Sequence, residues 1–317
     1  MHLVHRLLVD AGTLASHFAS VDPRLLALAL VFHLGNHGLR SLAWRNVLAA
    51  AYPEQRVGLV PITAAYAAGV ALNAIAPARG GDVVKVALAR AAIPEASMVT
   101  VAATMPVLMV FDMLAGTALL LGLGLFGGLA LTAHLPSPGA AAGWLGAHAP
   151  MAGAAAAAVS AAGFLLARRA RGFLAGLWEQ LRQGGAILAA PRCYLTRVAL
   201  VQAASWACRI GVVMCLLAAF GLPASPAVAG VVMVVAGIST VVPLTPGGAG
   251  TQQVLLAYAL GGVASAGAAV TFSIGMQAGI TAVNALLGIA GTMVACRTLR
   301  PIAALRTSLR LARATAG

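Results

Sequence analysis

Apolar residues run along this chain in long blocks, and short polar clusters separate them. The blocks at 24–43, 97–131, 151–167, 198–220 and 266–294 each have the length of a spanning helix, which takes about 20 predominantly apolar residues. Two further blocks are interrupted rather than continuous. One, at 59–93, breaks at Asn73, Pro77, Arg79, Gly80, Gly81 and Asp82; the other breaks within VVPLTPGGAGTQQ, between residues 241 and 253. From 210 to 296, and again from 113 to 167, there is no Asp, Glu, Lys or Arg. Such runs call for a solvent as apolar as themselves.

Composition sharpens this picture. Of 317 residues, 61% are hydrophobic and 9% charged, against about a quarter charged in soluble domains. Aromatics make up 5%, too few for the girdles of a membrane β-barrel, so the spans are helical. The net charge of +13 sets orientation and meets anionic headgroups in such a chain; no nucleic-acid partner is implied. Cys193, Cys208, Cys215 and Cys296 show no C-x-x-C spacing, and no metal is expected. No nucleophile motif, phosphate loop or paired carboxylates occur, so no catalytic site and no cofactor are expected.

The basic loops are 168–197 and the 297–317 tail, which the positive-inside rule places in the cytoplasm. The charge-free loops at 132–150 and 221–226 are then external. With those ends fixed, each interrupted block must enter and leave on one side, as a re-entrant hairpin. The expected architecture is an all-α, polytopic membrane bundle of two inverted repeats, 24–131 and 198–296, each containing a Pro/Gly-broken hairpin. Residues 1–23 precede it as an amphipathic segment, 168–197 links the repeats, and 24–296 forms one transmembrane domain. The segments AGVALNAIAPARGGD (68–82) and AGISTVVPLTPGGAG (236–250) align with a one-residue slip, as inverted repeats would.

Proline and glycine cannot sit comfortably within a helix, and irregular backbone survives in hydrocarbon only when buried in protein or lining a wet cavity. Two such breaks at one depth would aim helix N-termini, which suit phosphate, at a common point. Arg79 and Lys85 add charge beside the first. Ordinary interfacial turns are the competing reading. Asp112 and Arg209 lie inside spans, where ionisable groups are costly. They would pair with each other or with Asp82 and Arg79, either as a buried ion pair or in direct contact with substrate. His33 and His37, with Asn36 and Arg40, form a polar face on the first span, suited to cavity lining or helix–helix hydrogen bonds rather than zinc. Asn284, Gln252, Gln253 and Gln277 belong to the same class.

The pattern Asn73-x-x-x-Pro77-x-Arg79-x-Gly81-Asp82-x-x-Lys85, with Ser97 and Asp112 downstream and the block Pro243 to Gly250, resembles the lysylphosphatidylglycerol synthase transmembrane region, a flippase-like integral membrane family. The resemblance covers about 24–295. It implies a protein of the cell inner (plasma) membrane, C-terminus cytoplasmic, that binds an anionic phospholipid or polyprenyl-phosphate-linked lipid and moves it between leaflets. An accessory subunit of a lipid or glycan synthase is the alternative. The site residues so implied are Asn73, Pro77, Arg79, Gly80, Gly81, Asp82, Lys85, Asp112, Arg209, Pro243, Thr245, Pro246, Gly247, Gly248, Gly250, Gln253 and Gln277. Leu108 and Met109 stand where the family often has Glu-Arg, and Gln253 and Gln277 where it tends to have Glu and Arg. The latter pair reads as an ion pair replaced by a neutral hydrogen bond, which relieves a buried-charge cost. The chain ends at Gly317, without the soluble synthase domain of the best-known relatives, so aminoacyl transfer is not expected.

Overall fold

The computed structural model describes residues 21–75, 80–125, 171–241 and 250–296. Every regular element among them is helical. The helices are α1 (Pro23–Ala51), α2 (Leu59–Ile75), α3 (Gly80–Ala91), α4 (Met98–Ala103), α5 (Met105–Leu125), α6 (Arg171–Gly184), α7 (Pro191–Ala219), α8 (Pro226–Val241), α9 (Thr251–Ala259) and α10 (Ala266–Ala295). Among the described residues three stretches are long and apolar enough to cross a membrane: Met98–Leu123, Pro191–Ala219 and Ala266–Ala295. The expected amphipathic segment 1–23 apart from its last three residues, the loop at 132–150, the span at 151–167 and the tail at 297–317 lie outside the described residues.

Local chemistry sets the helix starts. Asp22 caps α1 by accepting from the Arg24 amide at 2.8 Å, with Pro23 in the first turn. Ser265 caps α10 by accepting from the Ala268 amide at 3.2 Å. Two boundaries differ from the sequence reading. The first span continues to Ala51 because Trp44, Val47 and Leu48 are fully buried beyond Arg40, and Trp44 Nε1 donates to Thr104 Oγ1 at 2.9 Å. The 168–197 stretch is not one segment: α6 ends at Gly184, and α7 starts at Pro191 and passes through a π-helical turn at Leu195–Ala199. Proline at the first helical position favours that early start.

Two pairings hold the bundle: α1 lies along α7, and α2 along α10. Small residues make the second possible. A Cβ at Gly288 would overlap Ala71 Cβ, and one at Gly291 would stand 2.6 Å from the Ala64 carbonyl oxygen. Helices associate in lipid through such close approach rather than through hydrophobic force. The same device joins α2 to α3, where a Cβ at Gly81 would collide with the Gly69 carbonyl. On the outer faces Val31, Met113, Leu121, Leu200 and Leu286 are exposed, as suits side chains in contact with acyl tails.

Overpacking a tight helix contact costs about 1–3 kcal/mol. Gly291→Val should therefore lower the unfolding midpoint in detergent by several degrees. Gly279→Ala, on the same helix with nothing within 4 Å of the added Cβ, should leave the midpoint unchanged or raise it.

Candidate functional site

Polar side chains gather where α1, α2, α5, α7 and α10 meet. Asp112 on α5 faces Arg40 on α1: Arg40 Nη1 donates to Oδ1 at 3.1 Å and Nη2 to Oδ2 at 2.5 Å. Trp206 Nε1 donates to the same Oδ1 at 2.9 Å, and Arg40 Nε donates to the Tyr66 hydroxyl at 2.9 Å. This bidentate geometry is the strongest arrangement available to a carboxylate. It corrects the expected pairing of Asp112 with Arg209. Arg40 had been visible only as part of a polar face, because nothing in sequence spacing connects residues 40 and 112.

A second ion pair sits at the start of α3. Lys85 Nζ lies 3.0 Å from Asp82 Oδ1, 5.2 Å from the Tyr66 ring centroid and 5.8 Å from that of Trp44. Asn73 Nδ2 donates to the same Asp82 oxygen at 3.1 Å. Lys85 is buried, so its charge is engaged within the protein. Gly80 and Gly81 open α3, and Gly81 serves the close contact with Gly69 described above.

Arg209 on α7 is placed differently. Its guanidinium carbon stands 5.1 Å from the Trp206 ring centroid, a cation–π contact. No described carboxylate comes within salt-bridge distance of it. Arg209 faces a cavity of about 860 Å³ whose wall also includes His33, Asn73, Gln252, Gln253, Gln277 and Asn284. The rest of the wall is largely aliphatic, with Val70, Val212, Val232, Met233 and Ile274 among the contributors. Asn73 lies in the last turn of the helix before the first break, and Gln252 and Gln253 in the first turn of the helix after the second. The described flanks of both breaks thus reach one cavity.

The polar wall is ordered from within. The Nε2 atoms of His33 and His37 lie 2.9 and 2.8 Å from Asn284 Oδ1, tying α1 to α10. Ser205 Oγ donates to Asn36 Oδ1 at 2.7 Å. Gly250, at φ +85°, precedes α9; its amide donates to Gln253 Oε1 at 2.6 Å, and Gln253 Nε2 donates to Gln277 Oε1 at 2.7 Å. Positive φ favours glycine there. The neutral Gln253–Gln277 pair read from the sequence is therefore a hydrogen bond between α9 and α10. Leu108 is buried and Met109 exposed, so neither position offers a charge. Gln252 is 6% exposed and makes no hydrogen bond to a described residue.

Of the residues proposed from sequence, Asn73, Arg209, Gln253 and Gln277 share the cavity. Asp82, Lys85 and Asp112 form the ionic network beside it. Pro77, Arg79, Pro243, Thr245, Pro246, Gly247 and Gly248 lie outside the described residues. Polarity alone had marked Gln252 and Asn284; their role in the cavity depends on helix pairings that no local pattern encodes.

Comparison with known proteins follows the same lines. Residues 3–288 match the family described as Lysylphosphatidylglycerol synthase TM region. Glycosyltransferase AglD of Haloferax volcanii is 28% identical over 284 residues, which cover 78% of this chain and 45% of that protein. The chain thus spans less than half the length of this relative. No solved structure matches.

The ion pairs set an order of stabilities. Removing one partner of a buried pair leaves the other charge uncompensated, at about 3 kcal/mol or more; the pair's partial exposure reduces that. Asp112→Asn should lower the unfolding midpoint in detergent clearly, whereas Arg209→Gln, which breaks no ion pair, should lower it less.

Proposed function

Because the chain belongs to the lysylphosphatidylglycerol synthase TM region family, we propose that this membrane protein binds an anionic lipid headgroup in its cavity and carries that lipid between leaflets. The observation that carries the reading is Arg209. Arg40 has Asp112 and Lys85 has Asp82, while Arg209 faces the cavity with the Trp206 ring beside it and no described carboxylate within salt-bridge distance. An intramembrane cation is costly and marks a functional site by default; an anion in the cavity would complete its coordination. The aliphatic wall suits the first carbons of the acyl or prenyl chains.

Translocation is supported by the pairing scheme of the helices. Exchanging α1 with α7, α2 with α8, α3 with α9 and α4/α5 with α10 turns α2–α10 into α5–α8, α1–α2 into α7–α8, α2–α3 into α8–α9 and α3–α4 into α9–α10. All of these contacts occur. That is the pattern expected of inverted repeats around a central site, with α2/α3 and α8/α9 as re-entrant hairpins. On this reading the C-terminus is cytoplasmic, the membrane is the plasma membrane, and the chain transports without catalysing a reaction.

A second reading has its own observation. Trp178 and Leu181 stand out from α6, which packs on α4 and α1 through Gln180, Gln183 and Gly184. A lipid or glycan synthase docking there would make the chain an accessory subunit, a role in keeping with a relative named glycosyltransferase. Loss of a co-purifying synthase from Trp178→Ala protein would favour it.

In vesicles carrying the purified protein and a labelled anionic phospholipid, Arg209→Gln should slow leaflet exchange at least tenfold, about 1.4 kcal/mol. Arg24→Gln, exposed at the start of α1, should not. Equal rates for wild type and Arg209→Gln would sink the transport reading.

A further inference from the structure

The lining of the cavity distinguishes among anionic headgroups. The chain has seven acidic residues, of which Asp22, Glu54, Asp82, Glu95, Asp112 and Glu179 are described. None of these six lines the cavity. The two that come nearest in the fold are neutralised, Asp82 by Lys85 and Asp112 by Arg40. The described wall also lacks Phe, Tyr and Trp, so no aromatic face is available to an ammonium group. The fixed charge it does present is the guanidinium of Arg209. A headgroup bearing an amine would meet repulsion and no counter-charge.

What the wall offers instead is carboxamides. Asn73, Gln252, Gln253, Gln277 and Asn284 come from α2, α9 and α10, and each amide presents both donors and an acceptor. Hydroxyl groups match that alternation; a bare phosphate uses only the donors. Two of these groups have capacity to spare. Gln252 is nine-tenths buried without a hydrogen bond to a described residue, and Asn73 Oδ1 is buried with no partner. Leaving the buried Asn73 Oδ1 unpaired costs about 1–3 kcal/mol, so an occupant that completes that bond gains by it.

We infer that the cavity selects a hydroxyl-rich phosphate headgroup, of the polyol or glycosyl phosphate class, over an amine-bearing one. Arg209 takes the phosphate, and the amides around Gln252 take the hydroxyls. The inference rests on the lipid-binding reading above and narrows its ligand.

The test uses full-length protein in nanodiscs and four short-chain probes: phosphatidylinositol, phosphatidic acid, lysyl-phosphatidylglycerol and phosphatidylethanolamine. Phosphatidylinositol should bind roughly five-fold or more tighter than phosphatidic acid, one net hydrogen bond or more, and at least tenfold tighter than either amine-bearing lipid. Gln252→Leu should erase the advantage over phosphatidic acid without weakening phosphatidic acid itself, which a merely structural role would not do. Gln252→Glu should raise affinity for lysyl-phosphatidylglycerol. Lysyl-phosphatidylglycerol or phosphatidylethanolamine binding as tightly as phosphatidylinositol to wild type overturns the inference. Phosphatidic acid matching phosphatidylinositol overturns it too, while leaving the anion site intact. Binding of no probe overturns the lipid-binding reading itself.

Discussion

Three cations and two carboxylates meet in the centre of this bundle. Arg40, Lys85 and Arg209 face Asp82 and Asp112, in surroundings where an uncompensated charge is expensive. The structure resolves the imbalance by giving Arg40 both oxygens of Asp112 and Lys85 an oxygen of Asp82. Tyr66 joins the two pairs: its hydroxyl accepts from Arg40 and its ring lies beneath Lys85. Arg209 is left with the face of Trp206. Since the Trp206 indole also donates to Asp112, the same side chain fixes the paired carboxylate and the cation that turns to the cavity. The one guanidinium in the described cavity wall, that of Arg209, is a consequence of that division.

Much of the scaffold could be read directly. Long apolar blocks mark α5, α7, α8 and α10, and the Pro/Gly clusters mark where α2 and α8 stop. Periodic composition predicts such elements because lipid demands an apolar surface over a fixed length. Ion-pair partners were less legible. Arg40 and Asp112 are 72 positions apart, and nothing in spacing favours Arg40 over Arg209; the bidentate contact of Arg40 and the stacking of Arg209 on Trp206 decide it. Lys85, read as a cation awaiting substrate, is a buried member of the network. Residue type identified the participants, but only tertiary contact could assign their roles.

The departures from the family pattern gain a physical meaning from the same geometry. Where a Glu and an Arg are often found, Gln253 and Gln277 share a hydrogen bond of 2.7 Å. The link between α9 and α10 is thus a neutral one between half-buried side chains. At Leu108 the position packs into the core, and its carbonyl accepts from Gln202 Nε2 at 3.1 Å. With Gln253 and Gln277 neutral, the guanidinium of Arg209 is the fixed charge that the described wall presents.

The contact between Gly69 and Gly81 leaves no room for relative tilt of α2 and α3. Nothing comparable occurs at Gly237 or Gly250, where an added Cβ would meet no atom within 4 Å. The two breaks are therefore packed differently: a glycine–glycine contact locks α2 against α3, whereas α9 is seated by Leu256 and Ala259, buried in the core, and by the amide bridge to α10.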